Sequence, residues 1–258
     1  MEMNLHMGSK PQKKVAVVSH ERSGTHFLMN TIARNYPYIS APWWNFDGEL
    51  GLNFHAPQAI ANYLRQAHDK PILNILKSHH PVGFFSEIKD YLADQFHIFY
   101  IYRNPYHTLR SNWKIIKYFH LQGWEEGPDS ATISDFIRSE PCGAMLRYQK
   151  RQAQNMVDRW RMHVEEWLDF AESNPELSLH LLSYEELNSD FHETVLKIGR
   201  CLEISVPIET RRPDRNQNVI RANDSPASKL PDDYNADDYF YTEKFAGDLM
   251  NQLGYSGD

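Results

Sequence analysis

The sequence predicts an α/β domain in which a central parallel β-sheet of about four to five strands is flanked by helices. Three observations carry that prediction. Short apolar runs rich in β-branched and aromatic residues alternate with amphipathic stretches of helical period along most of the chain. Each apolar run ends in a polar turn that opens the next helical stretch, and this order produces parallel strands covered on both faces. The 258 residues, 41% of them hydrophobic and 24% charged, suffice for one large core, and no repeat or low-complexity tract interrupts them.

The elements follow in order. Val15–Ser19 is a compact β-type run, succeeded by a turn at His20–Gly24 and a helix from about Thr25 to Asn35. Pro57–Asp69 reads as a helix and Pro71–Leu76 as a second buried strand. The aromatic and β-branched run His97–Tyr102 is a third strand, with a helix from about Pro105 to Tyr118 behind it. Between Met145 and Glu172, the residues Met156, Trp160, Val164, Trp167 and Leu168 recur at helical spacing. Leu177–Ser183 is a fourth strand, and Phe191–Leu202 another helix. Residues 122–142 and 209–237 have no clear period, and the second stretch is rich in Pro, Asn, Asp and Arg. Loops this long in a compact domain usually act as lids or binding segments. The expected organisation is a flexible N-terminus over residues 1–12 and one domain over residues 13–258, with those two loops as lid or ligand-binding segments.

Charge and composition exclude several classes of function. The formal net charge is −7, which is not the basic balance of a nucleic-acid binder. No apolar run of eighteen residues is present to span a membrane, and the polar start Met1–Lys14 lacks the apolar stretch of a secretion signal. Cys142 and Cys201 form neither a disulfide framework nor a metal motif, and no HExxH or Cys/His spacing occurs, so no metal is expected. A cytoplasmic location is the default expectation. An anionic ligand would need locally concentrated basic groups in a chain this acidic.

In a parallel sheet, ligands bind beyond the carboxyl ends of the strands, so the residues just after each strand carry the information. The first strand ends in Ser19-His-Glu-Arg-Ser-Gly-Thr-His26 and runs into a helix. Helix N-terminal amides beside a glycine form an anion site, with Ser23 and Thr25 adding hydroxyls and Arg22 a planar charged fork. The same residues also read as an ordinary helix cap. The loop lacks the G-x-x-x-x-G-K-[ST] pattern of a Walker A motif. The second strand ends in Lys77-Ser-His-His-Pro81, where a lysine and a histidine are placed to meet a ligand. His79 and His80 point opposite ways in an extended segment and do not suit one metal. The third strand ends in Arg103-Asn-Pro, and Ser111 lies about two turns into the following helix.

Taken together and in this order, these segments resemble the sulfotransferases that use 3′-phosphoadenosine 5′-phosphosulfate (PAPS). Glu21-Arg-Ser-Gly-Thr-His-Phe27 is similar to that family's P-K-S-G-T-T-W loop, and Lys77-Ser-His-His-Pro81 to the K-T-H-x-P segment of its cytosolic branch. Arg103-Asn104 and Ser111 match R-N-x-x-D-x-x-x-S at the right spacing. Trp160-Arg-Met-His-Val-Glu-Glu-Trp167 matches W-x-x-H-V-x-x-W, and Tyr184-Glu185 matches a strand ending in Tyr-Glu. The resemblance covers roughly residues 13 to 202 and implies a P-loop-like sulfotransferase fold.

It also implies roles. PAPS would be the co-substrate and 3′,5′-ADP (PAP) the product, with a small molecule as sulfuryl acceptor and no nucleic acid, membrane or metal involved. Arg22, Ser23, Gly24, Thr25 and His26 would hold the 5′-phosphosulfate, and Arg103 with Ser111 the 3′-phosphate. Phe27 and Tyr184 would contact the adenine. His79 matches the general base, and Lys77 with Arg22 would stabilise charge on the oxygens around sulfur as the bond breaks.

The departures from the family pattern are specific. Arg22 replaces a lysine, His26 a threonine and His107 an aspartate. The C-terminal R-K-G-x-x-G-D-W-K loop has no clean match. Val219–Ala222 is the candidate, making Arg221 a 3′-phosphate ligand, with Arg211, Arg212 and Arg215 as competitors. The aromatic cluster Tyr36, Tyr38, Trp43, Trp44 and Phe46 reads either as core or as an acceptor wall, and with Asp47, Glu49, Glu125 and Glu126 it would suit a cationic metabolite or alkaloid. Two rival readings are a P-loop-like phosphotransferase and a non-catalytic nucleotide-binding protein of the same fold.

Overall fold

The structure, a computed structural model, describes residues 12–45, 73–149, 151–205, 207–214 and 233–255. Strand β1 (Lys14–Val18) is buried along its whole length, as a Val-rich run covered on both faces must be. It pairs in parallel with β3 (Asn74–Ser78) on one side and β4 (Phe96–Tyr102) on the other. Strand β2 (Ile39–Asn45) lies outside β3, and β5 (Leu179–Ser183) outside β4. The resulting five-stranded parallel sheet has the order β2-β3-β1-β4-β5. The chain runs outward from β1 to β2, comes back to β3, then crosses to β4. Loops after β1, β3 and β4 therefore open onto one crevice at the point where the winding reverses.

Helices α1 (Thr25–Asn35), α2 (Lys89–Gln95), α3 (Pro105–Leu121), α4 (Ile133–Arg138), α5 (Met156–Ser173), α6 (Tyr184–Ser189), α7 (Phe191–Cys201) and α8 (Ala236–Gln252) surround this sheet. Alternation along β1 decides which layer each side chain joins. Val15 and Val17 pack with Leu28 and Ile32 of α1 and with Val195 and Ile198 of α7. Ala16 and Val18 face the other layer, with Trp167 and Phe170 of α5. Trp113, Phe136, Trp160 and Met250 bring α3, α4, α5 and α8 together in a third cluster beside the sheet. The α/β class and the parallel sheet of four to five strands thus hold, as a single domain.

Several elements depart from the sequence expectation. Strand β2 lies where the sequence reads as an aromatic cluster after the first helix, and its Pro42 lacks a ladder N–H. It survives at the sheet edge, with a register shift between Ile39 and Trp44 and a cis Ala41–Pro42 bond. The stretch from Met145 divides into a 3₁₀ segment, Gly143–Tyr148, and α5, whose start is capped by Asn155 accepting from the Asp158 N–H. Within residues 122–142, a capping box between Thr132 and Asp135 starts α4. A second box, between Asn235 and Asp238, starts α8 at the end of the expected 209–237 loop. The Pro57–Asp69 helix lies outside the described residues. No helix among the described residues is long and apolar enough to cross a membrane.

Candidate active site

The loop after β1 is built to receive an anion. Gly24 is the N-cap of α1 at φ 104°, supplies no side-chain cap, and the first turn carries no acidic residue. The amides at this helix end are therefore not satisfied by a capping side chain, and the helix dipole adds a positive field. Only glycine fits here: a Cβ on Gly24 would lie 2.5 Å from Cδ2 of Tyr184 as well as suffering the left-handed backbone. Arg22 also has a positive φ, 69°, a conformation non-glycine residues seldom hold away from functional sites. Ser19 Oγ and Thr25 Oγ1, 2.6 Å apart, close the loop across its base.

Arg22 Nε donates to Ser111 Oγ of α3 at 3.0 Å. Burial lowers the Arg22 pKa to about 10, and the neighbouring Arg103 guanidinium pushes it the same way. Two guanidiniums crowded into one pocket signal a missing negative partner. Arg103 stacks over the Tyr184 ring, its Cζ 4.2 Å from the centroid. The next residue, Asn104, caps α3 by accepting from the Tyr106 N–H at 2.9 Å, with Pro105 in the first turn. The cap fixes how Arg103 leaves the strand. Tyr184, at the start of α6, also meets Phe27 edge-on at 5.9 Å.

At the tip of β3, His79 Nδ1 lies 3.0 Å from the Ser19 carbonyl oxygen. A carbonyl only accepts, so Nδ1 carries the proton and Nε2 presents its lone pair. His26 is held neutral, its pKa lowered to about 4 by burial and then by Lys77 and Arg22.

One cavity of about 410 Å³ gathers these groups. Arg22, Gly24, Thr25, His26, Phe27 and Lys77 line it, together with His79, Arg103, Ser111 and Tyr184. Ser23 is buried beneath the loop, and Arg221 lies outside the described residues. Several buried polar atoms here lack a partner among the described residues. Ser23 Oγ, Trp43 Nε1, Arg103 Nε and Asn112 Nδ2 are in this state in or beside the cavity and can each donate a hydrogen bond, and His26 Nδ1 is in it too, as donor or acceptor according to its tautomer. Such a set calls for a ligand rich in acceptor oxygens.

The cavity continues along α3 past Ser111 and Asn112 to Ile115, Ile116 and Phe119, and is walled opposite by Trp43, Met145 and Tyr148. Sequence reasoning missed most of this chamber. The α3 residues repeat at helical spacing from Ser111 and could have been read from it, whereas Met145 and Tyr148 carry no local signal. Tyr36 and Tyr38 belong to the core instead: their hydroxyls donate to the Val195 and Lys13 carbonyls at 2.5 and 2.9 Å. Phe46, Asp47 and Glu49 lie outside the described residues. Glu126 lines the chamber but accepts from Arg147 at 2.9 Å. Of the C-terminal arginines, Arg212 lies over Phe27 and Phe191 at 5.3 and 5.1 Å and donates to the Asn188 carbonyl. Arg211 is engaged with Asn35 through its backbone.

Comparison with known proteins bears on this site. The sulfotransferase domain model matches residues 12–232. Among solved structures, retinol dehydratase in complex with retinol and PAP is similar over 95% of this chain and 82% of its own, at 14% identity and a TM-score of 0.56. A sulfotransferase from Alicyclobacillus acidocaldarius is similar over 97% and 98%, at 13% identity and a TM-score of 0.53. A mouse sulfotransferase complexed with PAP matches 77% of this chain at 19% identity and a TM-score of 0.48, and the match spans 61% of the mouse chain. No curated protein sequence matches. The similarity to solved structures is one of fold, while the domain match extends over most of the chain: the protein belongs to the sulfotransferase family.

Proposed function

We propose that the protein transfers a sulfuryl group from PAPS to a hydroxyl or amino group of a small-molecule acceptor by in-line displacement. One observation carries the reading: Arg22, bonded to Ser111, and its charged neighbour Arg103 line one cavity, and Ser23 Oγ, Trp43 Nε1, Arg103 Nε and Asn112 Nδ2 in or beside it are buried donors without a partner among the described residues. PAPS supplies the activated sulfur–oxygen bond. Arg22, Ser23, Thr25 and the α1 amides hold its 5′ end, Arg103 and Ser111 its 3′-phosphate, and Phe27 and Tyr184 face the adenine. Arg221 is a further candidate for the 3′-phosphate. His79 Nε2 takes the acceptor's proton as the new bond to sulfur forms and the bond to the 5′-phosphate oxygen breaks. Lys77 and Arg22 stabilise the charge left on that oxygen. A histidine suits this proton transfer because its ordinary pKa lies near neutrality.

The acceptor would occupy the α3 chamber, whose Ile115, Ile116, Phe119 and Met145 favour an apolar body. Retinol dehydratase, which shares the fold, holds PAP together with retinol, a pairing this lining would suit. A cationic acceptor finds support in the Trp43 and Tyr148 rings, but the Glu126 carboxylate is already matched by Arg147. The segment 122–142 acts as an acceptor-binding wall in this reading, through Glu126. In this reading the domain occupies residues 13–258 and works in the cytoplasm.

A thermal-shift titration with PAP, 5′-ADP and Mg-ATP tests the proposal. PAP at 100 times its Kd is expected to add about 2.7 kcal/mol of stability. Stabilisation by Mg-ATP without PAP would transfer the reading to a phosphotransferase.

A further inference from the structure

The donor-binding reading leaves one largely buried acid unexplained. Glu21 directly precedes Arg22 in the loop after β1 and lines the same cavity. Alone, its carboxylate would repel any phosphate or sulfate bound there. It is not alone. Arg159 of α5, itself almost fully buried, donates to both Glu21 oxygens at 3.0 and 2.7 Å. Burial by itself would raise the Glu21 pKa, yet the guanidinium holds it well below the ordinary range.

The same guanidinium reaches further. Its Nη1 donates to His20 Nε2 at 2.8 Å, which leaves the proton of this ring on Nδ1, and that N–H donates to the Glu21 carbonyl at 2.9 Å. One turn along α5, His163 Nε2–H donates to the His79 carbonyl at 3.0 Å, and the Tyr100 hydroxyl donates to His163 Nδ1 at 2.9 Å. One turn further, Trp167 Nε1–H donates to the His80 carbonyl at 3.2 Å. Positions 159, 163 and 167 share one helix face. A single stripe of donors thus grips the loop after β1 and the loop after β3.

We propose that Arg159 is a positioning residue for sulfuryl transfer: it neutralises Glu21 beneath the donor loop and, with His163 and Trp167, sets the spacing between that loop and His79. The proposal rests on the reading of the cavity as the PAPS site. Two like charges a few ångströms apart in a partly buried site change affinity by about tenfold to a hundredfold.

Calorimetric titration of PAP into wild type, Arg159→Met, Glu21→Gln and the double variant tests it. Arg159→Met is expected to weaken PAP binding at least tenfold, and adding Glu21→Gln is expected to restore most of the loss. The double variant buries no charge at this spot, so it should fold even where Arg159→Met does not. Arg159→Met binding PAP like wild type would overturn the proposal. So would a folded double variant that binds no better than folded Arg159→Met, or, where that single variant does not fold, one that binds far below wild type; a merely structural arginine would behave in that way. Absence of PAP binding by wild type would instead overturn the functional reading beneath it.

Discussion

The 3.0 Å contact between His79 Nδ1 and the Ser19 carbonyl is a small feature that decides which ring nitrogen would act as base in the proposed transfer. A proton fixed on Nδ1 leaves Nε2 as the basic atom, and the ring is also braced edge-on by Tyr148 at 5.6 Å. His79→Ala is expected to lower turnover by roughly 10²–10⁴-fold, the usual cost of losing a general base, while the PAP-induced thermal shift stays near that of wild type. Near-normal turnover would remove His79 from the mechanism. The type and place of this residue were readable from the chain, since a histidine after a strand's carboxyl end faces the crevice. Its tautomer was not, because the carbonyl that sets it belongs to another strand's loop.

At the scale of elements, α1 and α3 share the crevice and end in opposite ways. Gly24 leaves the α1 amides without a side-chain cap, whereas Asn104 caps α3 through the Tyr106 N–H. Asn104 is further tied down, its own N–H donating to Glu185 at 3.1 Å, and Glu185 accepts from the Tyr255 hydroxyl at 2.9 Å. Asn104→Ala is expected to cost about 0.5–2 kcal/mol in urea unfolding. In the proposed site Arg103, the residue before this cap, holds the 3′-phosphate, so PAP affinity should fall as well. A loss of stability with unchanged PAP affinity would show that Arg103 is held by Tyr184 alone. The Asn-Pro pair announced this helix start in the sequence. Strand β2 gave no such notice, since a proline is tolerated only once its edge position is known.

Across the whole molecule, buried neutral histidines set the response to acid. His20, His26 and His97 all have pKa values lowered to about 4, chiefly by burial, and His163 and His180 are shifted the same way. The unfolded chain binds protons on these rings near pH 6.5 and the folded chain does not. Their contribution is therefore fully present above about pH 6.5 and is lost as pH falls towards 4. Glu21, held below its ordinary range, adds a loss of the same sign at still lower pH. The urea midpoint is expected to be clearly lower at pH 5.0 than at pH 7.5. A flat profile would mean that the rings are charged in the native state.

The fold class, the strand tips and the motif residues that meet there are legible in the chain, because strand–turn–helix order and residue type are local properties. Arg22, Gly24, Lys77, His79, Arg103, Ser111 and Tyr184 were named from the strand tips together with the resemblance to the sulfotransferases, and one cavity holds them. Only the tertiary structure decided the apolar chamber along α3, the pairing of Glu21 with Arg159 and the burial of Tyr36 and Tyr38. Those depend on which surfaces meet when segments far apart in the chain pack together. A contact across 138 residues, like that of Glu21 with Arg159, leaves no periodicity to read.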